Sequence, residues 1–136
     1  DLVPLRNYYK NFSLQIQGAS LVAVLKSCEN KSDLPAGTQI HSIVVKSSVS
    51  HHTFVGNALV HMYSECGQID DAFKAFVDIV WKDDGSWSSI IGTYRQNGTE
   101  SEALELCKDM LAYGITFTSY SLPLSISACS QLSAIH

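Results

Sequence analysis

Hydrophobic residues recur along the chain at spacings of three and four, which is the period of an amphipathic α-helix. One such segment covers residues 54–65, with apolar side chains at Phe54, Ala58, Leu59, Met62 and Tyr63. Gly67 follows and predicts the end of that helix, because glycine adopts the left-handed conformation after a helix without the cost of a Cβ. A second amphipathic segment covers residues 70–80. Together the two segments predict a helical hairpin.

The hairpin pattern recurs in four segments, offset by 35, 31 and 35 residues (53−18, 84−53 and 119−84), which begin at Gly18, Thr53, Asp84 and Ser119. Equivalent slots hold a large apolar residue at Leu25, Val60, Ile91 and Ile126, and a small residue at Gly37, Ala72 and Ala103. Periods of 20–50 residues are typical of stacked solenoids. We therefore predict an all-α fold, an α-solenoid of stacked antiparallel helix hairpins.

The first and third units show the same two-helix plan. In the first unit the pattern predicts a helix that begins at residues 21–28 and a second helix at residues 34–46. In the third unit the first helix is predicted at residues 87–96. Thr99 followed by Glu102 matches the capping box that opens many helices, and it predicts the start of the second helix.

The composition supports a packed domain but not a basic binding surface. Hydrophobic residues make up 46% of the chain, charged residues 16%, and the net charge is −4. A stand-alone nucleic-acid binder usually carries a basic surface, so the net charge counts against one. No apolar run reaches the ~20 residues of a membrane span, so no membrane partner is expected. The four cysteines form no C-x-x-C pair and are expected to be free, buried thiols: Cys28, Cys66, Cys107 and Cys129.

Signatures of catalysis and of metal binding are missing from the sequence. His61 and Cys66 are five residues apart on one predicted helix, so they do not share a face, and no second close pair of zinc ligands follows. The sequence contains no hydrolase triad signature, phosphate loop or nucleotide-binding glycine motif. We expect no catalytic residue, no metal, no cofactor and no small-molecule substrate.

Several runs resemble pentatricopeptide repeats: residues 54–67 and 86–94 resemble first helices, and residues 37–42 and 103–106 resemble second helices. The lengths 35, 31 and 35 are similar to the long, short and standard triplet of the plant organellar PLS subclass. On this resemblance the chain divides into a degenerate segment and four repeats: 1–17, then 18–52 (long), 53–83 (short), 84–118 (standard) and 119–136 (truncated long).

The resemblance implies that the chain binds single-stranded RNA, with one base per repeat, as part of an organellar RNA-processing factor that acts in C-to-U editing. It implies a location in the mitochondrion or the chloroplast, with the mitochondrion slightly favoured, and other RNA-editing proteins as further partners. Editing members carry a zinc deaminase domain marked by H-x-E and C-x-x-C. Neither motif occurs in this chain.

The family reads each base with one residue early in the first helix and one that closes the repeat. In the second unit these places hold Asn57 and Asp83, a combination that resembles the family's preference for uracil. An amide can donate to and accept from a pyrimidine edge, and a carboxylate can orient that amide. The third unit offers Ser88 and Thr118, where threonine departs from the usual Asp or Asn.

The other predicted base-reading positions hold residues that are less suited to bind a base. The first unit offers Val22 and His52, and valine cannot form hydrogen bonds; the fourth offers Pro123. The family also clamps bases between apolar side chains, and the corresponding places hold Ala19, Phe54, Gly85 and Tyr120. Of these, Phe54 is a suitable stacking partner and Gly85 is not.

Other interpretations of the same residues stay open at this stage. Asn57 is also typical of an ordinary polar residue on an exposed helix face. Asp83 also fits an N-cap of the following helix, in competition with Asp84 and Ser86. The alternative function is a protein–protein interaction solenoid that does not read RNA.

Overall fold

The computed structural model describes residues 3–28, 30–47, 49, 52–116, 122–123 and 126. These residues contain no strand and form six α-helices: α1 Val3–Lys26, α2 Leu34–Lys46, α3 Thr53–Glu65, α4 Ile69–Asp78, α5 Asp84–Gln96 and α6 Glu100–Ala112. A single 3-10 turn, Lys31–Asp33, precedes α2.

The six helices pack as consecutive pairs. α3 packs on α4 and α5 on α6, while the first helices α1, α3 and α5 lie side by side. α2 contacts α1 and α3, and α4 contacts α3 and α5, so the second helices lie behind the row of first helices. This arrangement confirms the predicted all-α architecture of stacked helix hairpins.

Short glycine turns connect the two helices of each of the last two pairs. Gly67 and Gly98 have φ angles of +77° and +74°. After α3, the backbone N–H of Gln68 donates to the Tyr63 carbonyl at 2.8 Å, and that of Gly67 donates to the Ser64 carbonyl at 3.0 Å. This pattern of hydrogen bonds is the Schellman motif, in which a left-handed residue satisfies the last carbonyls of a helix. The predicted helix ends are thus confirmed.

The repeated slots form the core. The large apolar residues of one slot, Leu25, Val60 and Ile91, are buried. In the small slot, a Cβ added to Gly37 would lie 2.4 Å from the Met62 sulfur, closer than side chains can approach. The small residue therefore lets α2 pack directly against α3.

One predicted helix start and one predicted capping box differ from the structure. α1 begins at Val3, not near Leu21, and runs through Gly18 without a break. A Cβ at Gly18 would lie 3.0 Å from the Phe54 ring, so this glycine makes room for a neighbour in α3. The capping box at Thr99 is wrong, because the Thr99 hydroxyl donates instead to the Tyr94 carbonyl at 2.7 Å.

The cysteine prediction holds for the cysteines that the structure describes. Cys28, Cys66 and Cys107 are buried thiols that form no disulfide among the described residues. Cys129 and most of the predicted fourth unit lie outside the described residues.

Candidate nucleic-acid interface

Asn57 and Asp83, the two side chains that the family resemblance pairs, lie in contact. Asn57 stands in the second turn of α3, and Asp83 immediately precedes α5. Because α3 and α5 lie side by side, Asn57 Nδ2 donates to Asp83 Oδ1 at 3.2 Å. Asn57 is partly exposed and Asp83 is exposed, so the pair is open to a ligand from solvent.

Asp83 is also the N-cap of α5. Its Oδ1 accepts from the Ser86 backbone N–H at 2.8 Å, and its own backbone N–H donates to the Ser86 hydroxyl at 3.2 Å. The reciprocal pattern is a capping box, with a serine at the place that Glu or Gln usually occupies. Of the three candidates for the cap, Asp83 takes the role and keeps its contact with Asn57.

The hydrogen bonds of Asp83 set its charge state. Partial burial acts to raise the pKa of the Asp83 carboxyl group, but the Ser86 backbone N–H, the Asn57 amide and the Ser86 hydroxyl act in the opposite direction. The hydrogen bonds prevail, and the pKa of Asp83 lies below its ordinary value, because donors stabilise the charged form. The Asn57 amide therefore faces a carboxylate at neutral pH.

Ser86 also contacts Asn57 and Asp83, although it was not predicted from the sequence as a functional residue. Its side chain is fully buried, and its hydroxyl donates to Asn57 Oδ1 at 2.6 Å. The signal was a polar residue in a slot where the preceding unit holds a buried valine, Val55. We call Asn57, Asp83 and Ser86 the polar bracket.

The polar bracket leaves part of the Asn57 amide free. A primary amide has two N–H donors and an oxygen with two lone pairs. Asp83 takes one donor and Ser86 occupies one lone pair. Ser86 Oγ and Asp83 Oδ1 are 3.0 Å apart, so both lie on the edge of the amide where its oxygen and N–H are adjacent, and the remaining N–H and lone pair point to opposite sides.

An aromatic surface lies beside the bracket on α3. Phe54 is 43% exposed and lies over Gly18 of α1. The His52 ring is 5.7 Å from the Phe54 ring at an angle of 33°. Gly85 has the equivalent place in the next unit, and a Cβ there would lie 3.2 Å from Asp83 Oδ1. A base at the bracket would thus have an aromatic wall on one side only.

The other predicted reading places do not form such a contact in the described residues. Ser88 is 1% exposed, and its hydroxyl has no partner among the described residues. A serine hydroxyl ends one bond beyond Cβ, so it reaches less far from the helix than the amide of Asn57. Val22 is partly buried and packs against the core. Thr118 and Tyr120 lie outside the described residues, and Ala19 and Pro123 are exposed.

A separate open groove lies between α4 and α6, with a volume of about 370 Å³. The rings of Phe73 and Tyr94 line it and meet edge to face at 6.2 Å. Carboxylates of α6 also line it, and one of them, Glu105, pairs with Lys108 at 3.0 Å.

Neither a metal centre nor a membrane-spanning helix was found in the part of the chain that the structure describes. No three His, Cys, Asp or Glu side chains in it are placed to hold a metal ion. Within the same residues, no helix combines the length and the apolar character needed to cross a bilayer.

Comparison with known proteins identifies the repeats. The family model described as PPR repeat matches residues 57–83 and 85–115. A mitochondrial pentatricopeptide repeat-containing protein of Arabidopsis thaliana is 35% identical over 127 residues, which are 93% of this chain and 12% of the relative. A chloroplastic one from the same plant is 37% identical over 110 residues, 81% of this chain and 18% of the relative.

The chain therefore spans less than a fifth of the length of these two relatives. A third Arabidopsis thaliana protein of the same description, also mitochondrial, is 31% identical over 131 residues, which are 96% of this chain and 21% of that relative. The names of these relatives support the expected location in the mitochondrion or the chloroplast.

Proposed function

The chain belongs to the pentatricopeptide-repeat family, and from that premise we propose that it binds single-stranded RNA with one base per repeat. The observation that carries the proposal is the contact between Asn57 and Asp83 at 3.2 Å, open to solvent. In repeat proteins of this kind, two or three side chains per repeat read one base. The polar bracket supports this proposal, because it brings three polar side chains together beside the exposed ring of Phe54.

Uracil is the base that we propose for this repeat, because the family resemblance implies it for the pair Asn57 and Asp83. The Asn57 amide keeps one free N–H, which can donate to a uracil carbonyl. The Asp83 carboxylate accepts from the Nδ2 end of the amide and keeps the carbonyl end away. Phe54 supplies a face for stacking, which is worth ~1–3 kcal/mol per base.

The chain by itself should bind RNA weakly. Three repeats at ~1–3 kcal/mol per base give roughly 3–9 kcal/mol, and association costs an estimated ~4–15 kcal/mol. Electrostatic attraction to the RNA phosphates should contribute little to binding, since the net charge is −4. Lys82, next to Asp83, donates to the Ile79 carbonyl at 2.8 Å and lies over the Phe76 ring. We expect a Kd weaker than about 1 µM and a shallow dependence on salt.

We propose that this recognition serves organellar RNA processing, and C-to-U editing in particular. The long, short and standard lengths of the units support the editing assignment, and the mitochondrial and chloroplastic relatives support the compartment. The chain would contribute recognition and no catalytic residue of its own. Other RNA-editing proteins are the partners that such a role requires.

A panel of RNA oligomers tests the proposal. Four oligomers that differ only in one central base are titrated with the wild-type chain and with Asn57→Thr. The wild type should prefer uracil, and the variant should lose that preference, because threonine lacks the amide N–H that faces the base. Glu65→Gln, an exposed change on the same helix, serves as the control. An unchanged ranking of the four bases in Asn57→Thr would refute base reading by this residue.

The second candidate, a protein-binding solenoid without RNA reading, is favoured by the groove between α4 and α6. Its aromatic floor and the carboxylates of Glu102, Glu105 and Asp109 fit an arginine-rich peptide. The double change Glu102→Gln and Asp109→Asn should weaken the binding of such a peptide. If an acidic peptide of equal length binds as well as the arginine-rich one, the groove is not a site for basic segments.

A further inference from the structure

We propose that Asn97 is a site of spontaneous deamidation, that it reacts only when the turn between α5 and α6 opens, and that the resulting carboxylate loosens this turn. The inference is independent of RNA binding and of the polar bracket, which lies at the other end of α5. Asn97 follows the last residue of α5, and it is exposed. Of the five asparagines in the chain, Asn97 alone precedes a glycine, Gly98.

Deamidation needs an asparagine amide and a following backbone nitrogen that can approach it. The Gly98 nitrogen, once it has lost its proton, attacks Cγ of Asn97. A C–N bond forms, the bond from Cγ to Nδ2 breaks, and ammonia leaves with the proton, so that a five-membered succinimide remains. Water then opens this ring at either carbonyl, which gives aspartate or isoaspartate and adds one negative charge to the chain. Glycine favours the attack, because it has no Cβ to hinder the approach and leaves the backbone free to turn.

The folded turn keeps the two reacting groups apart. Asn97 Nδ2 donates to the Thr93 carbonyl at 2.8 Å, so the amide is turned back onto α5. The Gly98 N–H donates to the Arg95 carbonyl at 3.2 Å, and loss of its proton would break that bond. The ψ angle of Asn97 is 10°, which places the Gly98 nitrogen beside the backbone nitrogen of Asn97 and away from its Cβ. The ring cannot close in this conformation, so the reaction requires that the turn opens first.

The equivalent turn after α3 carries no reactive amide. Gly67 and Gly98 occupy the same slot, 31 residues apart, and both have positive φ angles. The residue before Gly67 is Cys66, whose thiol is buried and donates to the Asn30 carbonyl at 3.1 Å. A thiol cannot form a succinimide, so the turn after α5 can undergo a reaction that the turn after α3 cannot.

Conversion of the amide should weaken the end of α5. A carboxylate cannot donate to the Thr93 carbonyl, and the C-terminal end of a helix dipole disfavours a negative charge. Isoaspartate also lengthens the backbone by one CH₂ group before Gly98. This disturbs the hydrogen bond from the Thr99 N–H to the Tyr94 carbonyl, which measures 3.0 Å in the intact turn. The turn should therefore open more often, and α6 should pack less firmly on α5.

Peptide mapping of the full chain tests the site. The chain is kept in mildly alkaline buffer with and without guanidinium chloride and then digested with trypsin, and peptide 96–108 is followed by mass spectrometry. We expect its mass to increase as –NH₂ is replaced by –OH, at a rate at least about tenfold higher in the denaturant, because the folded chain reacts only through a local opening. The peptide that contains Asn57, which precedes an alanine, is the internal control and should keep its mass over the same time.

Two variants test the consequence for the turn. Asn97→Asp carries the charge of one product from the start, whereas Asn97→Gln keeps an uncharged amide. We expect hydrogen exchange at the Gly98 and Thr99 backbone N–H groups to be about threefold to tenfold faster in Asn97→Asp than in the wild type, and slower in Asn97→Gln than in Asn97→Asp. Equal exchange rates in the two variants would overturn the role of the charge.

Two results of the mapping would overturn the reaction itself. If peptide 96–108 gains mass in denaturant no faster than the Asn57 peptide does, Asn97 is not a reactive site. If peptide 96–108 gains mass at equal rates in the folded and the denatured chain, the turn does not protect Asn97. A sample digested at once gives the starting level for both comparisons.

Discussion

The two boundaries between successive units use the same slots for different purposes. At the first boundary the slots hold Val22, His52 and Val55; at the second, after offsets of 35, 31 and 31 residues, they hold Asn57, Asp83 and Ser86. Val55 is buried among apolar side chains, whereas the equivalent Ser86 is buried in a set of hydrogen bonds. The His52 side chain makes no capping hydrogen bond, whereas Asp83 caps α5.

The difference teaches that the stacking of helices and the presentation of a polar side chain to solvent are separate properties of one scaffold. The first helices lie side by side at both boundaries. An apolar boundary is stabilised by burial, and a polar one needs every buried group to be paired. The second boundary meets this need through Ser86, so it can present an amide to solvent.

Placing a serine in the apolar boundary should have the largest effect on stability. Val55→Ser removes two buried methyl groups and buries a hydroxyl among apolar neighbours. We expect the free energy of unfolding to fall by roughly 2–4 kcal/mol, as measured by urea denaturation. Val55→Ala keeps the slot apolar and is the control for lost volume. Equal losses in the two variants would show that the first boundary tolerates a hydroxyl.

The reverse exchange, which puts valine in place of Ser86 at the polar boundary, should lower the free energy of unfolding by less. Its effect should depend on the residue at position 57. Ser86→Val leaves Asn57 Oδ1 without its donor, and we expect a loss of about 1–3 kcal/mol in unfolding free energy. Asn57→Val added to Ser86→Val removes the unpaired group and should recover part of that loss, because two apolar partners restore a matched contact. Strict additivity of the two changes in a double-mutant cycle would contradict the coupling of these residues.

Acid should weaken the polar boundary through Asp83. The pKa of Asp83 in the folded chain lies below its ordinary value of 3.8, so the unfolded state binds more protons in this range. The contribution of the carboxylate to stability is therefore full at neutral pH, declines as the pH falls through about 3.8 and is lost below the folded-state pKa. The difference in stability between wild type and Asp83→Asn, followed by urea denaturation from pH 6 to pH 2.5, should shrink over that interval. A difference that is constant with pH would contradict this view of the bracket.

The smallest effect is expected at the far end of the same helix pair. Ser64→Ala removes the contact with the Thr93 hydroxyl, but Thr93 still donates to the Ser89 carbonyl at 2.7 Å. We expect a loss of about 0.5–1 kcal/mol in unfolding free energy and no change in base preference. A change in base preference in this variant would mean that reading depends on the general packing of α3 on α5.

Much of the fold was predictable from local pattern. The helix at residues 34–46 was predicted with the bounds that the structure shows, and Gly67 marked the end of α3. The start of α1 was not predictable from the sequence. Gly18 suggests the end of a helix when only the sequence is considered, but in the structure it lies inside α1 and makes room for the Phe54 ring. The capping box predicted at Thr99 is wrong for a related reason, because the Thr99 hydroxyl donates to the Tyr94 carbonyl of the preceding helix.

The candidate site was predictable only in part. The family resemblance paired Asn57 with Asp83, and the structure brings their side chains into contact. Ser86 was visible only as a competitor for a helix cap, because its bond to Asn57 joins residues 29 positions apart. The burial of Ser88 was not predicted either, since its slot is partly exposed at Asn57. The exposed fraction of a side chain in a repeated slot therefore depends on the length of that side chain and on how the next unit packs against it.

The central claim, that the Asn57 amide contacts a base, is tested most directly by nuclear magnetic resonance. The side-chain N–H₂ signals of Asn57 in ¹⁵N-labelled chain are assigned by their loss in Asn57→Thr and followed during titration with the uracil and cytosine oligomers. We expect these signals to shift with the uracil oligomer and to stay near their starting positions with the cytosine oligomer. Signals that stay in place while backbone signals elsewhere respond to RNA would contradict the claim.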